Sequence, residues 1–134
     1  MSKRHKARLA ALNLLFEGNL REISPIDLMT ERGVGDISEG EYAQRLVKGV
    51  VDHLPTINSS IEGYAQGWDL DRLPAVDRNI LRLAIYELLW ATEVPEAVAI
   101  DEALNFAREL STEDSAKYVH GVLGKIAALK SQLI

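Results

Sequence analysis

The 134-residue sequence predicts an all-α fold of about seven helices. Three observations carry this expectation. Apolar residues recur at the i, i+3, i+4 spacing of a helix face along most of the chain. No segment alternates strictly between apolar and polar residues within hairpin turns. Proline and glycine signals interrupt the pattern at intervals that leave mostly short connections, as in a helical bundle.

The elements follow in order. Leu9, Leu12, Leu15 and Phe16 place a first helix over about Arg4 to Glu17, with Gly18 and Asn19 as stop signals. Ser24-Pro25 starts a short second helix, because proline is pre-organised for the first helical position. Arg32 to Ile37, with Gly33 and Gly35, reads as a loop. Ser38 followed by Glu41 is a capping-box pair for a third helix. That helix runs to about His53, with Leu46, Val47, Val50, Val51 and Leu54 inward, and Pro55 stops it. Ile57, Ile61, Tyr64, Ala65 and Trp68 form a fourth amphipathic stretch, and Leu70 to Leu73 forms one more turn before Pro74. Residues 75–92 are apolar around most of the circumference, from Val76 through Ile80, Leu81, Leu83, Ile85, Leu88 and Leu89. A helix apolar nearly all round belongs in the centre of the molecule. Val94 to Ile100 is the one β-rich patch, demoted by Pro95 and its short length. Ile100, Ala103, Leu104, Ala107 and Leu110 place a sixth helix. Ser111 and Thr112 then precede the acidic turn Glu113-Asp114, which suits a helix N-terminus. The last helix turns Tyr118, Val119, Val122, Leu123 and Ile126 inward. Gly121 costs that helix about 1 kcal/mol relative to alanine, which predicts close approach of another backbone, from a neighbouring helix or a ligand.

The length fits one domain over residues 1–134, large enough to bury a core without staples. The absence of cysteine excludes disulfides, thiolate metal sites and a cysteine nucleophile. No apolar run approaches the ~18 residues of a membrane span. The basic start followed by Leu9 to Phe16 superficially resembles a signal peptide, but the apolar part is short and runs into Glu17 without a small-residue cleavage site. A soluble, cytoplasmic protein is expected. No P-loop, Rossmann glycine fingerprint or nucleophile elbow is present, and the three histidines lie far apart. No catalytic centre, metal or cofactor is expected. The carboxylate pairs Asp69/Asp71 and Glu113/Asp114 read as caps and solvated surface.

Charge is unevenly placed. The net charge is −5, yet Lys3, Arg4, Lys6 and Arg8 stand in the first sixteen residues without an acid. A basic end on an acidic body can engage an anion locally while the body repels it elsewhere. Guanidinium and ammonium groups meet phosphate by charge-assisted hydrogen bonds, and guanidinium also stacks on bases. Arg4 and Arg8, four apart, share a helical face, and Asn13 further along can read a base edge. Composition alone supports an RNA contact and a frayed, solubilising terminus about equally, since cations at a helix N-terminus oppose the macrodipole. Near the start of the last helix, Tyr118 fits either a base-stacking platform or the core, and Lys117 either a phosphate contact or a solvated lysine.

Four stretches carry a family resemblance. They are Arg4-His5-Lys6-Ala7-Arg8 leading into Ala11-Leu12-Asn13-Leu14-Leu15-Phe16-Glu17; Val76-Asp77-Arg78-Asn79-Ile80-Leu81-Arg82-Leu83-Ala84-Ile85-Tyr86-Glu87-Leu88; Val94-Pro95 with Ala99-Ile100-Asp101-Glu102-Ala103; and Glu113-Asp114-Ser115-Ala116-Lys117-Tyr118-Val119-His120-Gly121-Val122-Leu123-Gly124-Lys125. In order and spacing, across essentially the whole chain, they resemble the bacterial transcription antitermination factors of the NusB family. The resemblance implies two packed helical sub-bundles and a non-catalytic factor. It also implies that this factor binds the boxA element of nascent ribosomal RNA together with NusE, a small-subunit ribosomal protein. The assembly joins an RNA polymerase antitermination complex that suppresses termination. The family includes monomers and homodimers. Residue by residue, the resemblance implies RNA contacts at Arg4, His5, Lys6, Arg8, Asn13 and Phe16, and at Asp114, Ser115, Lys117, Tyr118 and His120. It implies NusE contact at Asp77, with Arg78 beside it. His5 stands where arginine is common, which makes that charge pH-dependent. His120 stands where the family usually has asparagine, and Gly124 where an acid or asparagine is frequent. Two other readings stay open. One is an accessory RNA-binding domain like those fused to ribosomal RNA cytosine methyltransferases, disfavoured because the chain ends at Ile134 without a cofactor domain. The other is a purely protein-binding helical module.

Overall fold

A computed structural model of the chain describes residues 2–33, 40–64 and 70–133. Among the described residues there are seven α-helices and one 3-10 turn, and no strand. The chain divides into two compact units, Met1–Asp52 and His53–Ile134.

The first unit holds α1 (Lys3–Arg21), α2 (Pro25–Glu31) and α3 (Gly40–Asp52). α1 lies against both α2 and α3. Its apolar side, Ala7, Ala11, Leu12, Leu14 and Leu15, is buried, as are Leu28 and Met29 of α2 and Ala43, Leu46, Val47 and Val50 of α3. Val51, expected inward, is exposed. One residue advances a helix by about 100°, so Val51 falls off the edge of the stripe that ends with Val50.

α1 also runs past its expected stop. Gly18 is buried inside the helix, which ends when Glu22 enters the left-handed region at φ 55°, ψ 41°. The chain then folds back, and the Ile23 amide donates to the Gly18 carbonyl at 3.0 Å. A Cβ on Gly18 would lie 2.8 Å from the Ile23 carbonyl oxygen and 3.0 Å from Pro25 Cγ. The glycine is there for that close return, not as a helix terminator. Ser24 caps α2 by accepting from the Ile26 amide at 3.2 Å, with Pro25 in the first turn as expected. Glu17 accepts from Arg21 and, through both carboxylate oxygens, from Arg32, which ties α1 to the end of α2. These bonds, Arg32 first and Arg21 second, hold the Glu17 carboxyl below its ordinary pKa. Arg32 and Gly33 form a turn. The rest of the expected loop, and Ser38 of the expected capping box, lie outside the described residues.

The second unit holds α4 (Leu54–Tyr64), a 3-10 turn (Leu70–Arg72), α5 (Ala75–Trp90), α6 (Glu96–Leu110) and α7 (Glu113–Leu133). Pro55 sits in the first turn of α4, where a missing amide proton breaks no helical bond. Ala65 and Trp68 of the expected fourth stretch, and Asp69, lie outside the described residues. α5 is the central helix. It contacts α4, α6 and α7, and every residue from Asn79 to Leu89 is buried. Among its buried polar groups, Arg82 donates from Nε to Asn58 at 3.1 Å and from Nη1 to Asn79 at 3.3 Å. Burial, with the Arg78 charge adding, lowers the Arg82 pKa to about 10. At the other end of α5, Trp90 stacks on His53 with ring centres 3.9 Å apart. The β-rich patch is helical from Glu96 onward, because Pro95 ends the preceding turn and opens α6. No described helix is long and apolar enough to cross a membrane.

Candidate nucleic-acid interface

The basic segment is helix from its third residue. The Ser2 hydroxyl accepts from the His5 amide at 3.0 Å, and the Ser2 carbonyl accepts from the Lys6 amide at 3.2 Å. A side-chain cap of this kind stabilises a helix by ~1 kcal/mol, offsetting the unfavourable placement of cations in a first turn that holds no acid. The terminus is a capped helix, which bears on the frayed-tail reading and does not by itself make an RNA contact.

Helical phase splits the basic residues between two faces. Arg4 and Arg8 lie toward the side of α1 that carries Ala7, Ala11 and Leu15, and both approach the ring of Tyr42 on α3. Their guanidinium carbons stand 4.2 and 6.0 Å from its centre. Arg45 of α3 approaches the same ring at 5.8 Å. Arg4 is exposed, whereas Arg8 is only 3% exposed and offers little surface to a ligand. Lys6 and Asn13, seven residues apart, return to nearly the same azimuth on the solvent side, and both are exposed. His5 and Phe16 are half-buried. Tyr42 and Arg45 carry no mark in the sequence pattern, because only the packing of α1 on α3 brings them to Arg4.

In the second unit, two groups of residues expected to serve different partners share one cavity. It measures about 380 Å³ and is lined by Leu73, Pro74, Asp77, Ser111, Thr112, Asp114, Ser115 and Tyr118, a size within the ~300–1,000 Å³ range of ligand sites. Asp77, projecting from the first turn of α5, is 4% exposed. Its Oδ2 accepts from the Ser115 hydroxyl at 2.8 Å, while Oδ1 has no hydrogen-bond partner. Thr112 caps α7, accepting from the Ser115 amide at 2.9 Å. The Ser115 hydroxyl also accepts from the Thr112 hydroxyl at 3.0 Å and stands 2.9 Å from that of Ser111. Tyr118 is half-buried and lines the cavity. Burial, and then the Asp77 charge, raise its phenol pKa. The cavity therefore offers a carboxylate acceptor, hydroxyls and an aromatic wall. That set can accept from an amino group and pack against a flat ring.

The remaining expected residues stand apart from this cavity. Lys117 and His120 are exposed on another face of α7. Arg78 donates from Nη1 to the Leu70 carbonyl at 3.2 Å, which anchors the 3-10 turn. Gly121 does not meet another backbone: a Cβ there would have nothing within 4 Å, and the residue is exposed. No group of three or more His, Asp or Glu among the described residues is placed to hold a metal ion.

The sequence model of the NusB family matches residues 5–128. A transcription antitermination protein NusB from Acidothermus cellulolyticus is 51% identical over 129 residues, covering 96% of this chain and 89% of that protein. A solved NusB from T. maritima superposes with a TM-score of 0.86 at 37% identity, covering 96% of this chain and 92% of that one. A chain solved in a complex of antitermination factors NusB and NusE with double-stranded RNA gives a TM-score of 0.83 at 30% identity, covering 96% and 98%. The four stretches that suggested the family lie almost entirely within the matched residues, and the chain belongs to the NusB family.

Proposed function

We propose that this chain is a non-catalytic transcription antitermination factor that binds single-stranded boxA RNA of nascent ribosomal transcripts together with NusE. In this reading it works in the cytoplasm and joins an RNA polymerase complex that suppresses termination. One observation carries the RNA part: a Ser2-capped helix presents exposed Arg4 and Lys6 with no acid in its first turn, on a chain that is otherwise acidic. An acidic body limits indiscriminate phosphate binding, so affinity depends on local charge plus base contacts. Arg4, His5, Lys6 and Arg8, with Asn13 and Phe16 after them, form the first RNA-binding set. Asp114, Ser115 and Tyr118 form the second, with Lys117 and His120 as flanking contacts. The Asp77 carboxylate accepts from a donor on the RNA or on NusE at the edge of the same cavity, with Arg78 holding the adjoining turn. The partnership with NusE is supported by the likeness to a chain solved with NusE and RNA.

Binding of a boxA oligonucleotide, with and without NusE, across a salt series tests this. Single-stranded RNA gives a log–log slope of about −0.7 per neutralised phosphate, so the exposed cations Arg4 and Lys6 together predict about −1.4. R4A/K6A should flatten the slope by about 1.4, and Y118A should weaken binding by about 1–3 kcal/mol if the ring stacks on a base. An unchanged slope and affinity in R4A/K6A would remove RNA binding from the N-terminal helix and leave a protein-binding module.

A further inference from the structure

Along the cavity of the second unit the hydroxyl protons run toward one carboxylate. We propose that this cavity receives a single unpaired adenine or cytosine of the RNA, and that Asp77 selects it by accepting from the exocyclic amino group. Asp77 is then a specificity-determining residue for RNA, and uracil and guanine are refused. The proposal rests on the RNA-binding reading of Asp114, Ser115 and Tyr118, and assigns Asp77 to the RNA rather than to NusE.

A serine hydroxyl has one proton, and that of Ser115 goes to Asp77 Oδ2 at 2.8 Å. The Ser115 oxygen in turn accepts from the Thr112 hydroxyl at 3.0 Å. The Ser111 hydroxyl stands 2.9 Å from the same oxygen and, with the Ser115 proton already directed at Asp77, is the donor of that pair. All three hydroxyl protons therefore point into the cluster. What Ser111, Thr112 and Ser115 still offer an incoming group is lone pairs, and Asp114, exposed on the same lining, adds only acceptors. Asp77 is the strongest acceptor of the set. It is 4% exposed, Ser115 is its one hydrogen-bond donor among the described residues, and its Oδ1 is buried without a partner. A buried carboxylate oxygen without a donor is unfavourable, so the occupant that fits brings N–H groups. Adenine N6 and cytosine N4 supply them, whereas guanine O6 and uracil O4 would set lone pairs against the carboxylate. The rest of the lining selects a ring. Leu73, Pro74 and Tyr118 give apolar and aromatic surface, which packs a flat base and suits a compact, strongly hydrated ammonium poorly. The volume of about 380 Å³ lies toward the lower end of the ~300–1,000 Å³ range of ligand sites, as for one base rather than a stacked run. Asp77 comes from α5 and the hydroxyls from the turn into α7, so the selection exists only where these elements meet.

The test uses the full chain and the boxA oligonucleotide, with and without NusE. Each adenosine and cytidine is replaced in turn by the analogue that lacks only the amino group, purine riboside or pyrimidin-2-one riboside, and by its carbonyl counterpart, inosine or uridine. At one position, loss of the amino group should weaken wild-type binding about tenfold, as for a hydrogen bond to a charged acceptor, and the carbonyl counterpart should weaken it at least as much. D77N places an N–H donor where the carboxylate accepts. With D77N the penalty for the carbonyl counterpart at that position should shrink to within about threefold, while other positions keep their wild-type values. The nucleotide series on the wild-type chain needs no folded variant, and R4A/K6A serves as the reference for the RNA reading itself. If R4A/K6A weakens binding while no position depends on its amino group, the base site is wrong and the RNA reading stands. If the amino dependence is the same in D77N as in wild type, the amino group is read elsewhere and the proposal falls. If D77N weakens binding only with NusE present and equally for every oligonucleotide, Asp77 contacts the protein partner and the proposal falls. If neither R4A/K6A nor any nucleotide replacement changes binding, both the site and the RNA reading fall.

Discussion

Ser115→Ala probes the cavity through a single hydroxyl. That hydroxyl donates to Asp77 Oδ2 at 2.8 Å, and the other carboxylate oxygen has no hydrogen-bond partner. Removing it leaves a carboxylate that is 4% exposed without a donor on either oxygen. A hydrogen bond to a charged group contributes ~1.5–3 kcal/mol. Alanine recovers ~0.5 kcal/mol through its higher helix propensity in the first turn of α7. The expected net loss is about 2 kcal/mol, or a fall of roughly 4–8 °C in Tm for a chain of this size. Urea denaturation of wild type, S115A, D77N and S115A/D77N forms a double-mutant cycle. The coupling between the two positions should be about 1–2 kcal/mol, because the neutral amide no longer leaves a charge stranded when the hydroxyl is gone. A loss below ~0.5 kcal/mol in S115A with additive effects in the double variant would refute the argument. Asp77 would then be satisfied by solvent, and the cavity would be wetter than its burial implies.

Two further outcomes follow from the same physics. Gly18→Ala and Gly121→Ala should have opposite signs. A Cβ at Gly18 meets the Ile23 carbonyl at 2.8 Å and displaces the chain reversal, an overpacking cost of ~1–3 kcal/mol that outweighs the propensity gain of ~1 kcal/mol. A Cβ at Gly121 meets nothing within 4 Å and keeps the whole gain. Urea midpoints check both, and equal signs would contradict the geometry. The Glu17 carboxyl, held below 4.5 by Arg32 and Arg21, gives stability that is fully present above pH 4.5 and lost as pH falls through its folded value. Glu17→Gln should therefore lower stability slightly at neutral pH, the group being partly solvated. The difference from wild type should close under acid, as measured by denaturation between pH 7 and 3.

Much of the fold was legible because helices announce themselves locally. The apolar circumference of residues 75–92 identified the central helix, and Ser24-Pro25 and Thr112 marked helix starts that the structure places where expected. Gly18 was misread for an equally physical reason. A glycine that ends a helix and a glycine that lets the returning chain touch a helix look alike in one dimension, and only the distance to Ile23 separates them. At Gly121 no neighbouring helix comes within 4 Å of a Cβ, which removes one of the two expected neighbours, a helix or a ligand.

The sequence by itself determined the all-α class, the order of helices, the concentration of positive charge at the start of the chain and the family. Each of these depends on residues close together in the chain or on a pattern running along it. The tertiary structure alone decided which charges can act together. It turned Arg8 inward, set Lys6 and Asn13 on the opposite face, brought Arg45 and Tyr42 of α3 to Arg4, and joined Asp77 of α5 to Ser115 of α7. These pairings span 38 to 41 positions and depend on which helix faces meet. Electrostatic and hydrogen-bond energies fall off over a few ångströms, so a site made by two helices has no signature in either helix alone.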